Sequence, residues 1–249
     1  MMRRMLVRPA VVLSMLARLA RAQMGDTVTL SVGDPSIDGR YLTPHRAAMV
    51  VTVTKDGATV SSRSYLLDKF VTRWRGRPAF RLVLHAPPDA PDPMYRIESV
   101  LDRRTMALLH REERDGAGRF AIYDVDGARL TGRVQSGAGA AAESLDVALA
   151  QPSFLSVFVD AAINASPVRA GRVFRVPTFD VIGRRTEWHV FHVTGRDSAA
   201  WVIQEDSTAR VRRRRIWLTR EPPFFPLDIT DLPDGSVRRI AQTLVRGTS

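Results

Sequence analysis

The chain has 249 residues, no cysteine and a formal charge of +11. Without thiols it excludes disulfides, thiolate metal sites, thiol catalysis and a lipidated N-terminal cysteine. Lys55 and Lys69 are the only lysines among 37 basic residues, an arginine bias that GC-rich coding explains more simply than phosphate binding does.

Residues 1–22 carry five arginines and no acid. Arg3, Arg4 and Arg8 form a basic n-region, residues 10–17 an uncharged apolar stretch, and Ala20-Arg21-Ala22 an A-x-A cleavage site before Gln23. The expectation is a signal peptide over 1–22 and an exported mature chain, periplasmic or extracellular. Arg18 and Arg21 interrupt the apolar stretch, so a basic tail or translation from Met24 is the alternative reading. No stretch approaches the ~20 apolar residues of a membrane helix. A chain of this size buries roughly 70% of its unfolded surface, and residues 23–249 are read as one β domain.

Five Asp-Gly dipeptides, at Asp38, Asp56, Asp115, Asp126 and Asp234, lie mostly between runs of alternating apolar and polar residues. Asp-Gly accepts the positive φ angles of a type I′ turn, so this spacing predicts consecutive antiparallel hairpins. Residues 27–32 alternate, with Val28, Leu30 and Val32 on one face. Residues 46–55 and 58–67 form a hairpin around Asp56-Gly57, and 70–75 and 79–85 another around Gly76-Arg77-Pro78. The proline-rich stretch 86–93 cannot donate regular ladder bonds and is a loop. Segments 95–101, 106–113, 119–125 and 129–134 read as a meander, and the small-residue stretch 135–142 as a linker.

A helix is predicted over 152–164, where Pro152 suits the first turn and Phe154, Val157, Phe158, Ala161 and Ala162 recur at helical spacing. Strands return at 172–176, 186–194, 200–205, 210–219, 227–231 and 237–245. An antiparallel sheet of that length curls strongly rather than staying flat, with the helix against its concave face.

Candidate chemistry is sparse. His189 and His192 stand three apart on a predicted strand, so they point to opposite faces and cannot share a metal ion. On the same count Glu187, His189, Phe191 and Val193 share one face, and Trp188, Val190 and His192 the other. Asp124 and Asp126 resemble the start of a calcium loop but lack its third acid and distal glutamate. The run Arg212 to Arg215 is divided by alternation, with Arg213 and Arg215 on one face and Arg212 and Arg214 on the other. Few aromatics interleave with it, so no nucleic-acid partner is expected. Arg213 and Arg215 are retained as candidate contacts to an anionic headgroup or partner. No nucleophile elbow and no serine in a triad setting occur, so neither an enzyme nor a cofactor is predicted.

Residues 193–230, VTGRDSAAWVIQEDSTARVRRRRIWLTREPPFFPLDIT, contain a tryptophan-led strand, a hairpin, then R-x-W-h-[ST]-[RK]-x-x-P at 215–223, where h is apolar. This stretch, with the D-x-x-T turn at Asp102 to Thr105 and the strands that follow it, resembles a widespread uncharacterised family of exported bacterial proteins. That family is similar in turn to the periplasmic outer-membrane lipoprotein carriers (LolA/LolB-like). The matching pieces cover about a third of the chain. The resemblance implies a mainly β fold: a strongly curved antiparallel sheet, an open half-barrel, with one helix packed on the concave face. In the carriers that concavity receives acyl chains, so a lipid or lipoprotein ligand is implied, with no catalytic residues. The expectation is therefore a non-enzymatic binding protein, with Phe154, Phe158, Trp188, Trp201 and Trp217 as candidate lining residues. The rival classes are an envelope hydrolase and a structural or scaffolding module.

Overall fold

The computed structural model describes residues 26–155, 159–181, 185–206, 208 and 211–245. The expected signal peptide and the candidate Phe158 lie outside the described residues.

The described residues form one sheet of sixteen strands. In chain order these are β1 (Thr27–Thr29), β2 (His45–Lys55), β3 (Ala58–Trp74), β4 (Arg77–His85), β5 (Arg96–Asp102), β6 (Leu108–Arg114), β7 (Phe120–Asp126) and β8 (Arg129–Gln135). They continue as β9 (Glu143–Ala148), β10 (Phe154–Leu155), β11 (Val173–Asp180), β12 (Arg185–Asp197), β13 (Ala200–Glu205), β14 (Arg213–Leu218), β15 (Leu227–Asp231) and β16 (Val237–Leu244). Two antiparallel meanders, β11 to β16 and β2 to β9, meet where β16 pairs with β2. The C-terminal strand therefore sits in mid-sheet. The path ends at β1 and β9, which do not pair with each other, so the sheet is not closed into a barrel.

The hairpin prediction holds, and its turn chemistry is visible in the backbone. Asp56 and Gly57 take φ values of 51° and 81°, the left-handed pair that a type I′ turn requires. The next hairpin turns at Arg75-Gly76, with φ values of 46° and 82°, and not at 76–78. Consequently β3 runs unbroken for 17 residues, where two separate strands were predicted.

Two further expectations are corrected. The sheet is mixed, because β1 and β10 pair with β11 in parallel. β1 comes from far along the chain, and β10 is joined to β11 by the connection that holds the helix, because parallel neighbours need a crossover where a tight turn would reverse direction. Among the described residues the helix is shorter than 152–164: α1 covers Val159–Asn164, and residues 154–155 are strand. Phe154 and Leu155 instead pair with Thr178 and Phe179, because extended backbone there finds an open edge of β11 while Phe154 enters the core. Strand β9 was missed, since ESLDVA carries too few apolar residues to show a period.

Every residue of α1 except Asp160 is buried. Its Ala161 and Ile163 join Phe174, Phe191, Ile203 and Ile216 in one core cluster, and burying a large apolar side chain there contributes about 1.5–3 kcal/mol. The C-terminal end of α1 is tethered to the sheet. Asn164 Nδ2 donates to Thr219 O at 3.2 Å, and Arg220 Nη1 donates to Asn164 O at 3.2 Å. On the other side, Asp38 N donates to Ala165 O at 2.8 Å. Gly39 next to it packs so closely on Met106 and Arg103 that no Cβ would fit. These contacts pin α1 over the face that carries the site.

Candidate functional site: a cavity with a buried charge cluster

Strand alternation decides which side chains meet. On β12, Glu187, His189 and Phe191 turn toward α1, and register aligns Phe191 with Glu205 of β13. Glu205 is aligned with Arg214 of β14, and Arg214 with Thr230 of β15. The first turn of α1 adds Asp160 from above.

Arg214 is the hub. Its Nη2 donates to Asp160 Oδ2 at 2.6 Å and to Asp228 Oδ2 at 2.7 Å. Its Nε reaches the same Asp228 oxygen at 2.9 Å, and its Nη1 reaches Glu205 Oε2 at 3.3 Å. Glu205 Oε1 lies 2.6 Å from His189 Nδ1. Thr230 Oγ1 donates to Asp228 Oδ1 at 3.0 Å and accepts from Arg238 Nη2 at 3.4 Å. Two buried atoms of the cluster, Asp160 Oδ1 and His189 Nε2, have no hydrogen-bond partner.

Burial pushes the Asp160 carboxyl up to about 6; Arg214 opposes this, and the Asp228 and Glu205 charges add to it. Arg214 is moved the other way. Burial alone would weaken its hold on a proton, but the charges of Asp160 and Asp228, with Glu205, more than offset that and raise it.

A cavity of about 520 Å³ opens beside this cluster. Asp160, His189, Glu205, Arg214 and Asp228 line one side. Met49, Leu67, Leu82, Leu84, Ile97 and Phe225 are among its apolar lining. Lys69 of β3 and Arg111 of β6 also line it. Arg111 Nη1 donates to Ser99 Oγ at 3.1 Å and its Nη2 to Glu113 Oε2 at 2.9 Å. Lys69 is 5% exposed, and its Nζ lies 5.1 Å from the Phe225 ring centroid. Burial pulls the Lys69 ammonium down to about 7.

None of the sequence-predicted candidates among the described residues lines this cavity. Phe154 is core. Trp201 packs against the core beside it, under the Arg196 guanidinium. Trp188 is 46% exposed, with Arg175 over its ring. Trp217 and Arg215 share the face opposite Arg214, where Trp217 Nε1 donates to Asp197 Oδ2 at 3.1 Å. Arg213 is exposed, 3.8 Å from Asp231 Oδ2. The predicted division of the histidines is seen: His189 meets Glu205, and His192 meets Asp206 at 2.9 Å on the other face. Among the described residues no group of three or more His, Asp or Glu side chains is placed to hold a metal ion.

Sequence reasoning passed over Asp160, Lys69, Glu205, Arg214 and Asp228. Two signals were available. Lys69 is a rare lysine inside an apolar-rich strand, and Arg214 stands out of step with its arginine neighbours. The His189–Glu205 pair has the spacing of a base and its orienting carboxylate, but no hydroxyl is hydrogen-bonded to His189 Nε2.

No protein-family model and no curated protein matches the chain. Among solved structures it is similar to the crystal structure of a DUF1329 family protein from Desulfovibrio piger ATCC 29098. The likeness covers 96% of this chain and 94% of that one, at 8% identity and a TM-score of 0.29. A likeness of that size says nothing about what either protein binds. Among the described residues no helix is long and apolar enough to cross a membrane.

Proposed function

We propose that this chain is an exported binding protein that holds a lipid-like, amphiphilic ligand in the cavity beneath α1, on the inner face of a curved, half-barrel sheet. The observation that carries the reading is the cavity itself. Its volume of about 520 Å³ falls in the usual range for small-molecule sites, and such sites are mostly apolar with a few polar anchors. Curvature is supported by who lines it. Glu187 of β12 and Arg111 of β6 border the same space, although eight strands lie between them in the sheet order. In a flat sheet that separation would be roughly 40 Å at ~4.8 Å per strand. Export is supported by the basic, apolar leader and its A-x-A site, and places the ligand in the envelope.

The test is displacement of a fluorescent fatty acid from the purified protein. Saturable, one-to-one binding is expected. It should be abolished by Ile97→Trp, which fills the cavity. Absence of saturable binding by the wild type would overturn the reading and leave the scaffolding alternative. N-terminal sequencing of the natively expressed protein should begin at or near Gln23; recovery with residues 1–22 intact would remove the export part.

A further inference from the structure

Among the described residues, the Lys69 ammonium has no hydrogen-bond acceptor and no carboxylate partner; it lies over the face of Phe225, and its charge bears on His45 of the paired strand. The strand registers show why. Across the sheet, Lys69 is aligned with His45 on one side and with Leu82, Ser99 and Arg111 on the other. That row holds no acid. Arg214 and Arg111, which line the same cavity, are each satisfied by carboxylates. An unpaired charge under this much cover costs several kcal/mol, so the site is incomplete as it stands.

We propose that Lys69 anchors the acidic head, carboxylate or phosphate, of the amphiphile in the cavity, whose chain lies along Leu67, Leu82, Leu84, Ile97 and Phe225. This rests on the binding function proposed above and adds the ligand's charge and orientation. The geometry fits the chemistry. The ammonium offers three donors, and an arriving anion supplies the acceptor that the protein withholds. Burial has already weakened the proton's hold on Lys69, and the anion reverses that by stabilising the charged form.

The test compares laurate, 1-dodecanol and inorganic phosphate as competitors of a fluorescent fatty acid, on wild type and on Lys69→Met. Wild type should prefer laurate to dodecanol on the order of 10–100-fold, the worth of a hydrogen bond to a charged group. Lys69→Met should lose that preference and bind dodecanol as wild type does. Inorganic phosphate should fail to displace the probe where laurate succeeds. Equal affinity of wild type for laurate and dodecanol would overturn the anchor while leaving an apolar cavity; this arm needs no variant. Displacement by phosphate as effective as by laurate would assign the site to free anions and overturn the amphiphile. If neither chain compound binds, the cavity reading fails, and the anchor with it.

Discussion

Lys69→Met should make the ligand-free protein more stable. In the folded chain Lys69 gives up its proton near 7, whereas the ordinary value is 10.5, and desolvation is the cause. Between those two values the unfolded chain binds the extra proton, so stability rises with pH across that window. Below about 7 the penalty is fully present; above about 10.5 it has gone. The gap between the two values corresponds to about 4–5 kcal/mol. Methionine keeps an unbranched apolar stem of similar volume and forfeits the contact between the ammonium and Phe225, worth about 0.5–2 kcal/mol. The net expectation is a gain of about 2–4 kcal/mol at pH 7, shrinking to under about 1 kcal/mol by pH 10.5. Urea unfolding of both proteins at pH 7, 8.5 and 10.5 measures it, with the m-value serving as the check that the folded state is unchanged. A variant less stable than wild type at pH 7, or a difference that ignores pH, would refute the argument that Lys69 is buried without a counter-ion.

Three further outcomes test other parts of the structure. Arg214→Leu strands Asp160, Glu205 and Asp228 around a lost cation and should cost about 3–5 kcal/mol at pH 7; a cost under about 1 kcal/mol by denaturation would disprove the cluster. Asp160 holds its proton more firmly folded, near 6, than at its ordinary 3.8, so its contribution to stability grows as pH falls through 6 toward 4. Asp160→Asn should remove that contribution, which the difference between wild-type and variant melting curves from pH 7 to pH 4 reads directly; a constant difference speaks against it. Gly132→Ala would press a Cβ onto the backbone of Ile122 and Tyr123 and should cost about 1–3 kcal/mol, whereas a neutral result would contradict the Tyr123–Gly132 register.

Local features of the fold were legible because they are written locally. Alternation with Asp-Gly turns identified β2, the β5 to β8 meander and most of β12 to β16, since period and turn chemistry each act over a few residues. Apart from β9, whose short polar sequence shows no period, the larger failures come from dependence on a partner elsewhere in the chain. Phe154 opens a helix-compatible spacing that runs on to Ala161 and Ala162, yet Phe154 and Leu155 become a strand because β11 offers them an edge. The pairing of β16 with β2 joins residues some 190 positions apart, as with Leu244 and Ala47, and nothing in either segment announces the other. The site was hidden in the same way. Alternation correctly divided Arg213 and Arg215 from Arg214, but only the pairing of β13, β14 and β15 shows which of those faces is buried. Aromatic size drew attention to Trp188 and Trp217, which lie outside the cavity. The residues that line it are aliphatic side chains such as Leu67, Leu82 and Ile97 together with Lys69 and the buried charge cluster, none of which stands out by size.

The cavity's two sides differ in charge in a way that bears on how a ligand must lie. On one side three carboxylates share Arg214, and Arg238 touches the cluster only through Thr230. Acid is in excess there even with both guanidiniums counted, and the excess shows in Asp160, whose proton is retained to about 6 partly because Asp228 and Glu205 repel its charge. On the other side the sign is reversed. His45, aligned with Lys69 across β2 and β3, is pulled down to about 4, first by burial and then by the Lys69 charge. Burial is the largest cause of both shifts; beyond it, the Asp228 and Glu205 charges raise Asp160, whereas the Lys69 charge lowers His45, which is not among the residues lining the cavity. On the proposed binding function, an anionic head would be turned away from Arg214 by the acids that already occupy it and drawn to Lys69, which has no carboxylate partner among the described residues. On that function, the apolar side chains around Lys69 would then receive the chain, and charge placement would set its orientation.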